Sequence, residues 1–248
     1  TRGMSSAASD VYKRQIHGGK DQVDGLLKHP DIKAISFVGS VSVGQYIYKT
    51  GTEYLKRVQS FAGAKNHMVI MPDANKAKTI DSLVGSSVGA AGQRCMAISV
   101  AVFVGSSKEW IEDLKKEMEM VKPGPWDSEE SSFGPLISPQ AKDRVLKLIE
   151  KGKEEAQCLI DGSKCDIEGF PNGNWVGATL FTKVKTDSEI YKTEIFGPVL
   201  LCIEVETLKD AIELVNANPY GNGTSIFTAS GRSATVSYTH LRAHETDY

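Results

Sequence analysis

The sequence lacks the features that mark several classes of protein. No apolar run approaches the roughly 18 residues that a membrane-spanning helix needs, so we expect no membrane partner. Acidic and basic residues nearly cancel, at 31 against 29, and the formal net charge of −2 gives no sign of nucleic-acid binding. No internal repeat and no low-complexity stretch occurs. What remains is an ordinary globular composition, 40% hydrophobic.

Cysteine is scarce and widely spaced. The four cysteines, Cys95, Cys158, Cys165 and Cys202, form no CxxC pair. This pattern favours free thiols in a reducing compartment over a disulfide framework or a zinc site, so we expect no metal. No signal or transit peptide is recognisable in the sequence.

Segments with β-strand and helical character alternate, which predicts an α/β fold. We predict strands over 32–38, 96–104, 157–160, 180–184, 198–205 and 225–228, and a mixed strand region over 58–71. We predict helices over 24–28, 42–57, 75–91, 109–121, 139–151 and 208–216.

The two ends of the chain differ from the sequence between them. Residues 1–15 and 235–248 show no periodicity that fits their neighbours and resemble translated vector sequence, so we expect both to be non-native tails. The alternative is that they are natural polar tails. Between them we expect a domain change near residues 58–67, with 16–60 ending one domain and 61–234 forming much of the next.

Cys95 stands in the most informative setting, the string Gly92-Gln93-Arg94-Cys95. A glycine permits close approach of a substrate, and a neighbouring cation favours the thiolate, so Cys95 is a candidate nucleophile. A buried structural role is the commonest fate of a free cysteine and stays open at this point. Arg94 either binds a substrate carboxylate or pairs with a structural acid.

Two further strings contain candidate cofactor-binding residues. Phe37, Gly39 and Ser40 lie where a predicted strand turns into a helix, and main-chain N–H groups at a helix N-terminus bind phosphate well. The carboxylate of Glu194 suits ribose hydroxyls, and the ring of Phe196 suits a nicotinamide. Taken singly, the first string also fits an ordinary turn, and the second fits a surface acid and a core phenylalanine.

Taken together, the strings resemble the aldehyde dehydrogenase superfamily, in that family's order and over about residues 16–234. The strings that carry the resemblance are Phe37-Val38-Gly39-Ser40, Gly63-Ala64-Lys65-Asn66-His67, Met71-Pro72-Asp73-Ala74, Gly92-Gln93-Arg94-Cys95-Met96-Ala97, Phe133-Gly134-Pro135-Leu136-Ile137, Glu194-Ile195-Phe196-Gly197-Pro198-Val199 and Asn218-Pro219-Tyr220-Gly221-Asn222-Gly223-Thr224. Several of them are similar to the CoA-acylating, methylmalonate-semialdehyde branch of the superfamily.

The resemblance implies a fold and a reaction. The fold is the end of a Rossmann-type NAD-binding domain over 16–60, followed by most of an α/β catalytic domain over 61–234. The reaction is NAD-dependent oxidation of methylmalonate or malonate semialdehyde to propionyl-CoA or acetyl-CoA, with decarboxylation, through a thioester on Cys95. Coenzyme A is the co-substrate. The residues it assigns are Phe37, Gly39, Ser40, Gly63, Glu194 and Phe196 for NAD and Arg94 for the substrate.

The resemblance also bears on assembly and location. It implies that the full-length protein is a homo-oligomer acting on a small molecule. It implies the mitochondrial matrix in a eukaryote, where members of this branch act in valine catabolism, and otherwise the cytoplasm. We expect the present chain, as a fragment, to be inactive by itself.

This sequence departs from the hydrolytic branch of the superfamily at one informative position. Hydrolytic members carry their general base, a glutamate, at the position of Phe61. Without that base the thioester is left for another nucleophile, and coenzyme A fits the need. Three alternatives stay open: a hydrolytic NAD(P)-dependent aldehyde dehydrogenase, a non-catalytic structural or binding protein on this scaffold, and a cysteine hydrolase, for which the sequence places no histidine as base.

Overall fold

The computed structural model describes residues 14–241, which form two compact units. The first unit ends at Gly63 and the second begins at Ala64. Residues 1–13 and 242–248, which hold much of the two predicted non-native tails, lie outside the described residues.

The first unit consists of α1 (Lys20–Lys28), β1 (Ala34–Gly39), α2 (Val41–Glu53) and β2 (Arg57–Ala62). The two strands pair in parallel, and α2 is the crossover helix that parallel pairing requires. Gly51 lies inside α2, at a position where a side chain would collide with the neighbouring strand. A Cβ there would stand 2.6 Å from a methyl group of Val58, so glycine lets the helix lie close to β2.

The second unit is built on a six-stranded sheet. Its regular elements are β3 (Asn66–Ile70), α3 (Lys76–Val88), β4 (Ile98–Val104), α4 (Ile111–Glu119), α5 (Pro139–Glu155), β5 (Gln157–Ile160), β6 (Thr179–Thr182), α6 (Glu189–Lys192), β7 (Val199–Val205), α7 (Leu208–Ala217), β8 (Thr224–Phe227) and α8 (Gly231–His240). Short 3-10 turns cover Gly89–Gly92 and Gly105–Trp110.

The strand order in this sheet is β5-β6-β7-β4-β3-β8. All neighbouring pairs are parallel except β5 and β6. Every residue of β3 is buried, as are all residues of β4 except Ser99. Helices α3 and α7 both pack against β4 and β7. Strands of a parallel sheet covered on both faces are apolar throughout, which is why β4 and β7 could be predicted from continuous apolar runs.

Local sequence signals set the ends of several helices. The Ser138 hydroxyl accepts a hydrogen bond from the Ala141 N–H, and Pro139 occupies the first turn of α5. At the start of α7, Thr207 and Asp210 form a reciprocal capping box. Within the described part of the chain, no helix combines the length and the apolar character that a bilayer crossing requires.

The α/β class predicted from the sequence is confirmed, and the element boundaries differ at several places. The helix predicted over 42–57 stops at Glu53, because Arg57 already begins β2. The helix predicted over 75–91 stops at Val88, where the chain turns sharply. Helices α6 and α8 were not predicted, and α8 includes residues 235–240 of the expected C-terminal tail.

Candidate active site

The candidate site lies at the amino edge of the large sheet. Cys95 precedes β4, and Gly197 precedes β7. Asn66 begins β3, and Asn222 precedes β8. Because these four strands are parallel and adjacent, the segments that enter them meet at one edge. Ligands of open parallel sheets usually bind at the carboxyl ends of the strands, so this site occupies the opposite end.

A turn with strained backbone conformation precedes Cys95. Ala90 and Ala91 have φ values of 52° and 54°, in the left-handed region. Each costs roughly 1–2 kcal/mol for a residue with a side chain. Gly92, with φ of +67°, then packs its Cα against Gly197. Strain of this kind concentrates at functional sites, because the surrounding structure must be arranged to hold it.

Four of the predicted site residues line one small cavity. They are Arg94, Cys95, Glu194 and Phe196. The cavity volume is about 20 Å³, room for about one water molecule. The structure therefore brings together two strings that are separated by roughly a hundred residues in the sequence, and it does so through the adjacency of β4 and β7.

Cys95 differs from the other cysteines in its exposure. Its side chain is exposed, Cys158 and Cys165 are half-buried, and Cys202 is buried. Burial raises the pKa of the Cys158, Cys165 and Cys202 thiols, which disfavours their thiolates. Only Cys95 therefore combines access with a position on the cavity that holds the other candidate residues.

Arg94 turns towards the preceding helix. Its Nη2 donates to the Gly85 carbonyl at 2.7 Å and to the Ser86 carbonyl at 3.4 Å, within the last turn of α3. A cation at that position satisfies carbonyl groups that have no partner inside the helix. Both bonds start from one nitrogen of a guanidinium that carries five N–H groups, so the same side chain can also meet a carboxylate.

Glu194 is half-buried and accepts a hydrogen bond from the Ala64 N–H at 3.1 Å. Burial raises the pKa of its carboxyl, and the Ala64 N–H together with nearby Arg144 and Lys65 opposes that effect. Phe196 has φ of 52° and an exposed ring, 38% accessible. A strained aromatic beside a carboxylate that still has a free oxygen is able to hold a ring and a hydroxyl group.

Lys65 supports the segment that carries Glu194. The lysine is fully buried, and its Nζ donates to the carbonyls of Ile190 and Thr193 at 2.7 Å each. Burial lowers the pKa of Lys65 to about 7, while the Glu194 carboxylate acts in the opposite direction. These bonds fix the end of α6 and the chain just before Glu194.

In the part of the chain that the structure describes, the histidines lie away from Cys95. His67 is buried against Tyr191, with its Nε2 3.1 Å from the Tyr191 hydroxyl, and burial lowers its pKa to about 4. Among residues 14–241, no histidine lines the Cys95 cavity, and no group of three His, Cys, Asp or Glu side chains could hold a metal ion.

The remaining predicted residues belong to the first unit. Ser40 is the N-cap of α2, and its hydroxyl makes no capping hydrogen bond. The Phe37 ring lies over Gly39, where a Cβ would stand 2.5 Å from the ring, so this aromatic packs within its own turn. Gly63 has φ of +77° and follows β2. Ser40 and the adjacent helix N–H groups are thus free to meet an anion.

The sequence profile of the aldehyde dehydrogenase family matches residues 12–245. The chain belongs to the aldehyde dehydrogenase family. This confirms the resemblance found in the sequence strings. The profile also covers residues 235–245, which lie within the expected C-terminal tail.

The chain is also similar in sequence to individual members of the aldehyde dehydrogenase family. The human protein named methylmalonate-semialdehyde/malonate-semialdehyde dehydrogenase [acylating], mitochondrial, is 52% identical over 239 residues, which cover 96% of this chain and 44% of that protein. The chain thus spans somewhat less than half the length of this relative.

Solved structures of family members agree with the fold. A methylmalonate-semialdehyde dehydrogenase from Oceanimonas doudoroffii matches with a TM-score of 0.88 and 38% identity, covering 91% of this chain and 47% of that chain. A Sinorhizobium meliloti structure named for the same enzyme and complexed with NAD matches with a TM-score of 0.88 and 41% identity, with the same coverage. The predicted aldehyde dehydrogenase-like fold is confirmed.

Three residues at this aldehyde dehydrogenase site were not singled out from the sequence. Lys65 supports the Glu194 segment, and both Asn66 and Asn222 donate side-chain N–H groups to the main-chain carbonyl of Cys95. The only signal in the sequence was that each belongs to one of the quoted strings. A buried polar residue at the start of an apolar strand, such as Asn66, is the pattern that would have identified one of them.

Proposed function

We propose that the full-length protein is an NAD-dependent, CoA-acylating dehydrogenase. Its substrates are methylmalonate and malonate semialdehyde, and its products are propionyl-CoA and acetyl-CoA, with loss of carbon dioxide. The observation that carries this proposal is the exposed Cys95 thiol on a cavity shared with Arg94, Glu194 and Phe196. The name of the human relative, acylating methylmalonate-semialdehyde/malonate-semialdehyde dehydrogenase, supports the substrate class.

The activity is proposed for the whole protein and not for the present chain. The chain matches 44% of its human relative, and we propose that residues 16–60 end its NAD-binding part and 61–234 belong to its catalytic part. We expect the isolated chain to show no turnover, since a large share of the relative's length has no counterpart in it.

The residues present fit NAD in two places. In the first unit, Ser40 and the N-terminal N–H groups of α2 suit a diphosphate. In the second unit, the free carboxylate oxygen of Glu194 suits ribose hydroxyls, and the exposed Phe196 ring suits a flat heterocycle. When bound, NAD supplies the acceptor for the hydride that leaves the substrate carbon.

The chemistry of the chain itself centres on Cys95. The thiolate attacks the aldehyde carbon, and the carbonyl oxygen becomes an oxyanion, which we propose the Cys95 N–H stabilises. Loss of hydride from that carbon leaves a thioester on Cys95. The bond between the α-carbon and the substrate carboxylate then breaks. Carbon dioxide leaves, the bonding electron pair stays on the α-carbon, and that carbon takes up a proton. The thiol of coenzyme A then loses its proton and attacks the thioester carbon. The bond from that carbon to the Cys95 sulfur breaks, which releases acyl-CoA and returns the Cys95 thiolate.

The residue at position 61 favours acyl transfer to coenzyme A over hydrolysis. Phe61 lies on β2 and offers no proton acceptor, so it cannot activate water. We propose Arg94 as the residue that meets the substrate carboxylate, using the guanidinium N–H groups that do not bind α3.

The proposal for assembly rests on the family resemblance, and the proposal for the compartment rests on the names of relatives. We propose a homo-oligomer. The human, bovine and Aedes aegypti relatives are named mitochondrial, and we propose the mitochondrial matrix for this protein if its source is eukaryotic.

The test measures NADH formation by the full-length protein from malonate semialdehyde, with and without coenzyme A. Cys95→Ala is the test variant, and Cys165→Ala, at a half-buried thiol off the cavity, is the matched control. We expect turnover that requires both coenzyme A and Cys95 and that persists in Cys165→Ala. Turnover without coenzyme A, yielding a free acid, would instead place the protein among hydrolytic dehydrogenases.

A further inference from the structure

The main-chain carbonyl of Cys95 accepts hydrogen bonds from two asparagine side chains. Asn66 Nδ2 donates at 2.8 Å and Asn222 Nδ2 at 2.7 Å. This carbonyl belongs to the same residue as the candidate nucleophile, so its direction fixes one of the two backbone rotations at Cys95. A backbone carbonyl has two acceptor lone pairs, so two amide donors can both bind it and together restrain its direction.

Asn66 is the inner of the two residues. Its side chain is buried, and its Nδ2 also donates to the Ala97 carbonyl at 2.9 Å. It thereby holds the carbonyls on both sides of Met96. Its position at the start of β3, where the register with β4 shifts, allows the side chain to reach across.

Asn222 is the outer of the two residues. It is exposed, and its Nδ2 also lies 3.3 Å from Asn66 Oδ1 and 3.2 Å from the Met96 sulfur. The Met96 side chain also lies against the next residue, since a Cβ on Gly223 would stand 2.6 Å from the Met96 methyl group. Because Asn222 is exposed, its replacement opens no cavity in the core.

The segment that leads to Cys95 needs contacts with other parts of the chain to hold its conformation. The residues leading to Cys95 include Ala90 and Ala91 in the left-handed region, which the local sequence does not favour. We propose that Asn222 is a positioning residue that, with Asn66, holds Cys95 so that its thiol and its N–H face the substrate. This inference rests on the proposed function, in which Cys95 is the nucleophile.

The experiment compares Asn222→Leu and Asn222→Asp with Asn172→Leu in the full-length protein. Leucine is similar to asparagine in size and donates no hydrogen bond, and aspartate keeps the shape but puts a negative charge near Cys95. Asn172 is an exposed asparagine in the loop between β5 and β6 and serves as the matched control. The readouts are kcat, KM, the thermal midpoint, and the pH profile of Cys95 alkylation by iodoacetamide.

We expect kcat to fall about 10- to 100-fold in both Asn222 variants, with KM for NAD little changed, because misplacement of a reacting group by an ångström has effects of that size. Alkylation of Cys95 should slow in both variants, and its pH profile should move to higher pH in Asn222→Asp, since a nearby carboxylate disfavours the thiolate. Asn172→Leu should match the unmodified protein.

Two results would overturn the inference. One is an unchanged kcat in Asn222→Leu. The other is a loss of kcat in folded Asn222 variants whose Cys95 alkylation is unchanged, because the effect would then not act through Cys95. Cys95→Ala, measured alongside, separates the two proposals. If that variant keeps full turnover, the proposed function fails, whereas inactive Cys95→Ala beside fully active Asn222→Leu contradicts only the positioning role.

Discussion

Gly92 and Gly197 touch through their backbones. A Cβ built on Gly92 would stand 2.1 Å from the Gly197 carbonyl oxygen and 2.5 Å from its carbon, and Gly92 also has φ of +67°. Two separate constraints therefore require glycine at position 92. The contact joins the loop of Cys95 to the loop of Glu194 and Phe196, and residues of both loops line the same cavity.

Gly92→Ala tests that relationship. The variant must move backbone against backbone and hold a side chain in the left-handed region. We expect its free energy of unfolding to fall by about 1–3 kcal/mol and its turnover to fall more than about 100-fold. Chemical denaturation and NADH formation, both with the full-length protein, measure the two effects.

The control is Gly25→Ala. Gly25 lies inside α1, and nothing stands within 4 Å of a Cβ built there. That variant should gain about 0.5–1 kcal/mol in stability and keep full turnover. If Gly92→Ala behaved like Gly25→Ala, the close contact would have no functional role.

In the full-length protein, Arg94→Ala separates the two proposed roles of the arginine. Loss of the bonds to Gly85 and Ser86 should lower the free energy of unfolding by about 0.5–1.5 kcal/mol. Loss of the proposed carboxylate contact should raise KM for malonate semialdehyde about 10- to 100-fold and leave KM for propanal, which has no carboxylate, nearly unchanged. Arg94→Lys should give a KM for malonate semialdehyde between those of Arg94→Ala and the unmodified protein. Equal rises for both aldehydes would indicate distortion of the loop and contradict the substrate contact.

Lys65 should make stability depend on pH. Its pKa is about 7 in the folded protein and about 10.4 in an unfolded chain, so between these values the unfolded state binds more protons. The free energy of unfolding should therefore rise with pH over this range because of this residue, by up to about 1.4 kcal/mol per pH unit. Below pH 7 both states are protonated and the contribution stops changing.

Lys65→Met should remove this rise, as measured by urea denaturation between pH 7 and 10. Lys192→Met, at an exposed lysine of α6, is the matched control and should keep it. The same pH slope in Lys65→Met and in the unmodified protein would show that Lys65 stays charged when buried.

The central strands could be predicted from sequence because burial on both faces requires a continuous run of apolar residues. The apolar runs at 96–104 and 198–205 became β4 and β7, with small shifts at their starts. The turn after α3 could not be predicted in the same way. Ala90 and Ala91 favour a helix by local propensity, and only tertiary contacts hold them in the left-handed region.

Some residues of the candidate site could likewise be predicted from sequence, and others depend on the tertiary structure. Cys95, Arg94, Glu194 and Phe196 could be chosen as candidates because their strings are distinctive, and the structure brings them to one cavity. The bond from Asn222 to Cys95 joins residues 127 positions apart, and it exists because β8 lies beside β3 and β3 beside β4. No pattern within a single segment encodes that order of strands.

The most direct test of the account is to trap the acyl group on Cys95. The full-length protein is mixed with malonate semialdehyde and NAD without coenzyme A, quenched in acid, digested and analysed by mass spectrometry. The account predicts an acyl adduct on the peptide that contains Cys95, which disappears when coenzyme A is added and forms acetyl-CoA. No adduct, an adduct on another residue, or rapid loss of the adduct to water without coenzyme A would contradict it.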